Sequence, residues 1–335
     1  MKPWIGFVFL FAIGSIGFIV SAWTNPYKNY SEMEKIVLIN PGTSSLEIAD
    51  QLEKAGVVSH RFYFLFYHKT MRWSRTLQAG EYLFKNPLTI YEVADHLIEG
   101  RVNYQELTIP EGLSLFEIPD LLEKAGLSKT KNICGILNNT GLIADLAPNA
   151  KNLEGFLFPD TYRWTRNTSA EALVIKMIKR FRQVFSTHLS DQIPQSSLNL
   201  MQIVTLASLI ETEASLNFER PIVSAVFHNR LNKGIRLQSD PTVIYAAKQR
   251  GMFRGRIFQS DLDFESPYNT YSTMGLPPGP IASPGLESLK AALNPADVDY
   301  FYFVSNNQGG HIFSRTFREH QKAVRSYRRG RLKKK

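Results

Sequence analysis

Apolar and polar positions along the chain change pattern several times. From Trp4 to Trp23 the sequence is almost wholly apolar behind a single Lys2. A run of about 20 such residues spans a bilayer as a helix, and tryptophans at its ends suit the two interfaces. The competing reading is a cleaved signal peptide, because Val20-Ser21-Ala22 resembles a small-residue cleavage site. The length of the run and its slight positive flank favour an uncleaved anchor. A polar tether follows at 25–35. Helical and strand periods then alternate. The pattern predicts a strand near Ile39, a helix to Gly56, a buried helix or strand over His60–Thr70, a strand over Ala79–Phe84 and a helix over Ile90–Glu99. Further on it predicts amphipathic helices over Ala170–Phe185 and Pro221–Leu231. A strand at Tyr300–Ser305 should pair with His311–Thr316 across NNQGG.

Part of this pattern repeats. PGTSSLEIADQLEKAG after Ile39 returns as PEGLSLFEIPDLLEKAG after Ile109, with Glu47, Ile48, Asp50 and Leu52 matched by Glu117, Ile118, Asp120 and Leu122. Each copy reads as a strand, a Pro/Gly turn, a helix capped by Ser or Thr, and a closing glycine. Two copies are too few for a solenoid. The βααβ order over Ile36–Phe84 resembles a LysM-like module, a small fold that often binds glycans.

The apolar stretch LASLIETEASLNFER, Leu206–Arg220, sets a problem, because it carries Glu211 and Glu213 at the end of a core helix. Burying a carboxylate costs several kcal/mol unless it is paired or protonated. At about 100° per residue, Glu213 falls within about 20° of Leu206, inside the apolar arc, and Glu211 lies beside the smaller Val204 and Ala207. An apolar setting raises a carboxyl pKa and suits it to general acid work. The plainer reading is a salt-bridged helix end, with Glu211, Glu213 and Glu219 facing Arg220 or Arg230. These residues alone leave both open.

Three other stretches carry chemistry. NLEGFLFPDTYRW (Asn152–Trp164) mixes aromatics with Glu154 and Asp160, as sugar-binding walls and ordinary cores both do. RLQSDPTVIYAA, from Arg236, contains Gln238, Asp240 and Tyr245, with Asp240 expected as the N-cap before Pro241. SPYNTYSTMGLPPGPIASPG (Ser266–Gly285) is a long polar loop, stiffened by prolines, whose Asn269, Tyr271 and Ser283 can bond sugar hydroxyls.

Composition trims the field. The 335 residues suffice for about two domains. One cysteine, Cys134, excludes an internal disulfide and a cysteine-based zinc site, and the seven histidines form no HExxH pair. No glycine-rich phosphate loop is present. The expectation is therefore no metal and no cofactor. The net charge of +9 is concentrated in Arg325–Lys335, which supplies seven positives and reads as a disordered solubilising tail. No nucleic-acid fold precedes it.

Taken together, LEGFLFPDTY, LASLIETEAS followed by ER, RLQSDPTVIY, SPYNTYSTMGLPPGPIASPG and FYFV…GGHIFS resemble the endolytic murein transglycosylases, the YceG-like family, from the anchor to about Val324. The resemblance implies an α+β protein: an anchor (1–24), a tether (25–35), a LysM-like subdomain (36–103), a catalytic domain (104–324) and a basic tail (325–335). It implies the cytoplasmic (inner) membrane, crossed once, with the catalytic domain on the periplasmic side. It also implies peptidoglycan strands as substrate and a place beside the glycan polymerases. The family's catalytic glutamate corresponds to Glu213. Its usual motif has Lys between the two acids, where this chain has Thr212. Glu211, Glu219, Glu154, Asp160, Gln238, Asp240, Tyr245, Asn269 and Tyr271 are candidate binding or supporting residues. The implied chemistry is lytic cleavage of the β-1,4 bond between N-acetylmuramic acid and N-acetylglucosamine, leaving a 1,6-anhydro end. The alternatives are a muramidase-type hydrolase, with Glu154 or Asp240 as second acid, and a non-catalytic glycan-binding membrane scaffold.

Overall fold

Two compact units divide the chain: Met1–Glu106 with Arg163–Asn167, and Leu107–Tyr162 with Thr168–Lys335. The computed structural model describes residues 17, 20–27, 34–71, 75–127, 133–166 and 168–332. Most of the apolar run expected to form the anchor lies outside them. No helix among the described residues is long and apolar enough to cross a membrane.

The first unit is built on β1 (Lys35–Ile39), α1 (Ser45–Lys54), α2 (Arg61–Met71), β2 (Gly80–Phe84) and α3 (Ile90–Glu99). β1 and β2 pair antiparallel, Lys35 opposite Phe84 and Ile39 opposite Gly80. α1 starts where Ser44 Oγ accepts the Glu47 N–H and Glu47 returns a bond to the Ser44 N–H, a reciprocal cap that satisfies two orphan donors. Thr89 and Glu92 do the same for α3. Ile48, Leu52, Phe64, Tyr82, Val93 and Leu97 fill the core. α2 is a helix, and it is not buried on every face: Phe64 and Tyr67 point inward, Phe62 and Phe66 into solvent.

The second unit takes in the rest: β3 (Gln105–Ile109), α4 (Ile118–Lys124), α5 (Ile133–Leu137), β4 (Asp160–Trp164), α6 (Ala170–His188), α7 (Leu200–Glu213), α8 (Arg220–Asn232), α9 (Asp240–Gln249), α10 (Gln259–Leu262), α11 (Leu286–Leu293), β5 (Tyr302–Ser305), β6 (His311–Ser314) and α12 (Phe317–Leu332). β3 pairs with β4, and the unit boundary crosses both strands. The second copy of the repeat departs from the first. Its helix begins only at Ile118, with Pro119, which has no N–H to donate, in the first turn; Glu117 accepts the Ser114 N–H and is also held by Lys248.

α7 is the central rod of this unit. Asn199 and Gln202 cap its start reciprocally, and every residue from Ile203 to Ile210 is buried. The single apolar arc expected from periodicity is thus a helix enclosed all round. Its small positions admit close neighbours. Gly155 has φ +81°, and a Cβ there would come within 2.6 Å of Pro280 and 2.8 Å of Val204. Only glycine meets both conditions. The basic C-terminus is not a disordered tail from residue 325: α12 carries it as helix to Leu332, with Ala323 buried.

Candidate active site

The long loop 266–285 is pinned to α7 and to the start of α9. Ser208 Oγ donates to Thr205 O at 2.7 Å and accepts the Ile281 N–H at 3.0 Å. The Gln238 N–H reaches Thr270 O at 3.1 Å, and the Ser239 N–H reaches Thr270 Oγ1 at 2.9 Å. Gln238 is held at φ +50°, a strained conformation for a residue with a side chain. Arg230 helps fix it there by donating to Arg236 O, Leu237 O and Phe301 O at 3.0, 3.0 and 2.6 Å. These bonds bring the C-terminus of α7 against the first turn of α9.

A cavity of about 500 Å³ opens at this junction. Glu213, Gln238, Asp240 and Tyr271 form one part of its lining, and β5, His311 and the first turns of α12 form another. Glu213 is half-buried at the end of α7. Its Oε1 accepts the Ser239 hydroxyl at 2.6 Å. Burial pushes its carboxyl up to about 7; the Ser239 hydroxyl pulls downward and the nearby Asp240 charge pushes up again. Asp240 Oδ1 accepts the Tyr271 hydroxyl at 2.5 Å, and burial, aided by this bond, pushes the Tyr271 phenol up. Asp240 is the first residue of α9 rather than its N-cap. Ser239 holds the cap position, and its hydroxyl turns away from the helix to Glu213.

Glu211, two residues back, has a different setting. Its Oε1 accepts Arg220 at 2.8 Å and its Oε2 accepts the Gly285 N–H at 2.9 Å. Both side chains are nearly fully buried, at 5% and 7% exposure. Burial raises its pKa, opposed by the Gly285 and Arg220 contacts. The position set beside the smaller Val204 and Ala207 is therefore a buried ion pair that ties α7 to α8 and to the start of α11. Thr212 bonds back to Ser208 O and Leu209 O along its own helix.

The model of the YceG-like family matches residues 37–326. The chain belongs to the YceG-like family. The endolytic murein transglycosylase of Bacillus subtilis (strain 168) is 33% identical over 318 residues, covering 90% of this chain and 87% of that protein. The endolytic murein transglycosylase of Streptococcus pneumoniae serotype 2 (strain D39) is 30% identical over 303 residues, covering 82% of this chain and 55% of that one. A crystal structure of a YceG-like protein from Listeria monocytogenes is 32% identical, with a TM-score of 0.59, covering 86% of this chain and 98% of that one.

In this YceG-like chain the remaining candidates separate. Glu219 is buried beside the cavity, where it accepts the His311 N–H at 2.9 Å and meets His311 Nδ1 at 2.7 Å. Glu154 is 1% exposed and lies away from the cavity. It accepts the Leu115 N–H, and burial pushes it up to about 8. Leu153, Phe156 and Leu157 around it are fully buried, so this segment is core rather than an open wall. Asp160 pairs with Arg180 at 2.7 Å on β4. Tyr245 is buried between Phe116 and Tyr268. Asn269 is fully buried and shapes its loop by donating to Leu262 O and Phe264 O. Sequence reasoning missed Ser239, His311 and the aromatic lining from β5 and α12, and offered Arg230 only as a salt-bridge partner of the acids, where it instead bonds backbone carbonyls. Ser239 had one usable signal, a polar side chain at the cap position next to Asp-Pro.

Among the described residues no cluster of side chains could hold a metal ion. The site offers one acid of raised pKa, a hydroxyl that orients it, a carboxylate–phenol pair and a partly aromatic lining, which together suit proton transfer to an uncharged polar ligand.

Proposed function

We propose that this protein is an endolytic murein transglycosylase in which Glu213 is the single general acid and base. The observation that carries the reading is Glu213 itself: a carboxyl in a cavity wall, raised to about 7 and held through one oxygen by Ser239. The names of the Bacillus and pneumococcal relatives supply the substrate, the glycan strands of murein.

Because Ser239 donates to Oε1, the proton of the neutral acid sits on Oε2, which no described residue bonds. Oε2 protonates the bridging oxygen as the bond to the muramic C1 breaks, through an oxocarbenium-like transition state. The ionised carboxylate then takes the proton of the muramic C6 hydroxyl as that oxygen closes on C1. The proton returns to Glu213, no water is consumed, and the product carries a 1,6-anhydro end. One acid suffices for both steps.

A hydrolase needs a second carboxylate placed for attack or to activate water. Asp240 is the only other carboxylate in the cavity lining among the described residues, and its Oδ1 is already taken by Tyr271. Glu154 does not reach the cavity lining.

Our reading also places the protein in the cytoplasmic membrane by a single anchor within residues 1–24, with the parts that follow the anchor, the catalytic domain above all, on the cell-wall side. The βααβ order of the first unit supports a LysM-like, glycan-holding role for it. A place beside the peptidoglycan polymerases follows from the substrate, which is the newly made strand. The length distribution of products from long, uncrosslinked strands tests the internal mode of cutting. Early accumulation of intermediate lengths supports it, and release of disaccharides alone from the outset contradicts it.

A further inference from the structure

α2 turns two faces in opposite directions. Phe64 is fully buried, whereas Phe62 and Phe66, one turn apart on one stripe, are 58% and 50% exposed. Trp23 lies against the outer stripe. Its ring stacks on Phe66 at 5.5 Å, it meets Tyr67 edge-on at 5.3 Å, and its Nε1–H donates to Tyr63 O at 3.1 Å. Trp23 is also the last residue of the apolar run that begins at Trp4. A chain leaving the bilayer at Trp23 therefore emerges beside Phe66, and aromatic residues at that depth sit among the lipid headgroups. Lys69 and Arg75, also exposed, follow the two phenylalanines. Exposed aromatics on a short helix, with one basic residue in its last turn and another just past its end, suit a segment that lies in the interface plane.

We propose that the Phe62–Phe66 face of α2 inserts into the headgroup–acyl boundary of the bilayer, so that the first unit rests on the membrane as well as being tethered to it. The inference rests on the anchor reading and adds to it a defined contact surface. The occupant is lipid because the apolar run ends at Trp23, whose ring, itself buried in the unit, stacks on Phe66 at the edge of this stripe.

Site-directed spin labelling of the full chain in nanodiscs of phosphatidylethanolamine and phosphatidylglycerol tests this. Cys134, the one native cysteine, is first replaced by Ser. Labels are then placed singly by Phe62→Cys, Phe66→Cys, Ala12→Cys within the apolar run, and Met274→Cys on an exposed loop of the second unit. Collision rates with oxygen, which partitions into lipid, are compared with those of a water-soluble nickel complex. The expected result is oxygen over nickel at 62 and 66, more strongly so at 12, and nickel over oxygen at 274. Nickel access at 62 and 66 equal to that at 274, with 12 still in lipid, overturns this inference alone. Exclusion of both reagents at 62 and 66 points to a protein partner or a second copy and also overturns it. Nickel access at 12 overturns the anchor reading itself.

Discussion

Ser239 donates its hydroxyl to Glu213 Oε1 at 2.6 Å, across 26 residues of sequence. This bond opposes the effect of burial on the acid, and it fixes one oxygen of a carboxyl that lines the cavity. Ser239→Ala should let the Glu213 pKa rise further and free the carboxyl to rotate. Glu213 acts first as the protonated acid, so kcat/KM is present below its pKa and lost as pH rises through it. The alkaline limb, expected near pH 7 in the wild type from the raised carboxyl, should move upward in Ser239→Ala. Turnover should fall about tenfold, the equivalent of one hydrogen bond to a charged group. An unmoved limb in a folded variant would remove Ser239 from this role.

Asp240 acts on the same acid with the opposite sign, because its negative charge helps hold the Glu213 proton. Asp240→Asn should shift the alkaline limb to lower pH, and the product should keep its 1,6-anhydro ends. If Asp240 were instead the second acid of a hydrolase, the variant would lose turnover by about a hundredfold or more with no acidward shift.

Arg220 supports the fold rather than the reaction. Its guanidinium is buried against Glu211 and lies 3.3 Å from Glu111. Removing one partner of a buried pair costs about 3–5 kcal/mol, because the remaining charge stays buried and uncompensated. Arg220→Met should therefore lower the free energy of unfolding by about 3 kcal/mol in urea denaturation, while the folded fraction keeps kcat within a few-fold of wild type.

Glu154 should make stability depend on pH. Its carboxyl is raised from 4.5 to about 8 by burial in the native protein. The folded state therefore holds this proton more tightly than the unfolded chain does. The stabilisation is fully present below pH 4.5 and lost as pH rises toward about 8. The span is on the order of 5 kcal/mol. Glu154→Gln should flatten that part of the stability curve, read as the difference from wild type in denaturation series across the window. Parallel curves would contradict the assignment.

The elements that follow from local pattern were legible in the sequence. The paired caps at Ser44–Glu47 and Thr89–Glu92, the β5–β6 hairpin and the core helix ending in IETE all have short-range causes. What failed was long-range. The aromatics and acids of LEGFLFPD look the same whether they face a ligand or a core; the burial of Leu153, Phe156 and Leu157 and the close fit of Gly155 against Pro280 and Val204 show that the segment is packed inside. Glu211 and Glu213 are near neighbours in sequence, yet Arg220 and Gly285 claim one while Ser239 holds the other. Helical angles alone do not predict those partners. The sequence places the cap at Asp240, one residue late, and so passes over Ser239, whose hydroxyl turns to Glu213 instead of capping its own backbone. The Glu219–His311 contact joins residues 92 apart, and no local signal announces it.

The central claim is that Glu213 alone carries both proton transfers of a lytic cleavage. Purified glycan strands digested by the wild type and by Glu213→Gln, with the new ends read by mass spectrometry, test it most directly. The account predicts that the wild type leaves 1,6-anhydro-muramic ends, one water lighter than reducing ends. It also predicts that Glu213→Gln, folded as the wild type is, releases them at least about a thousandfold more slowly. Reducing muramic ends from the wild type, or undiminished cleavage by Glu213→Gln, would contradict it.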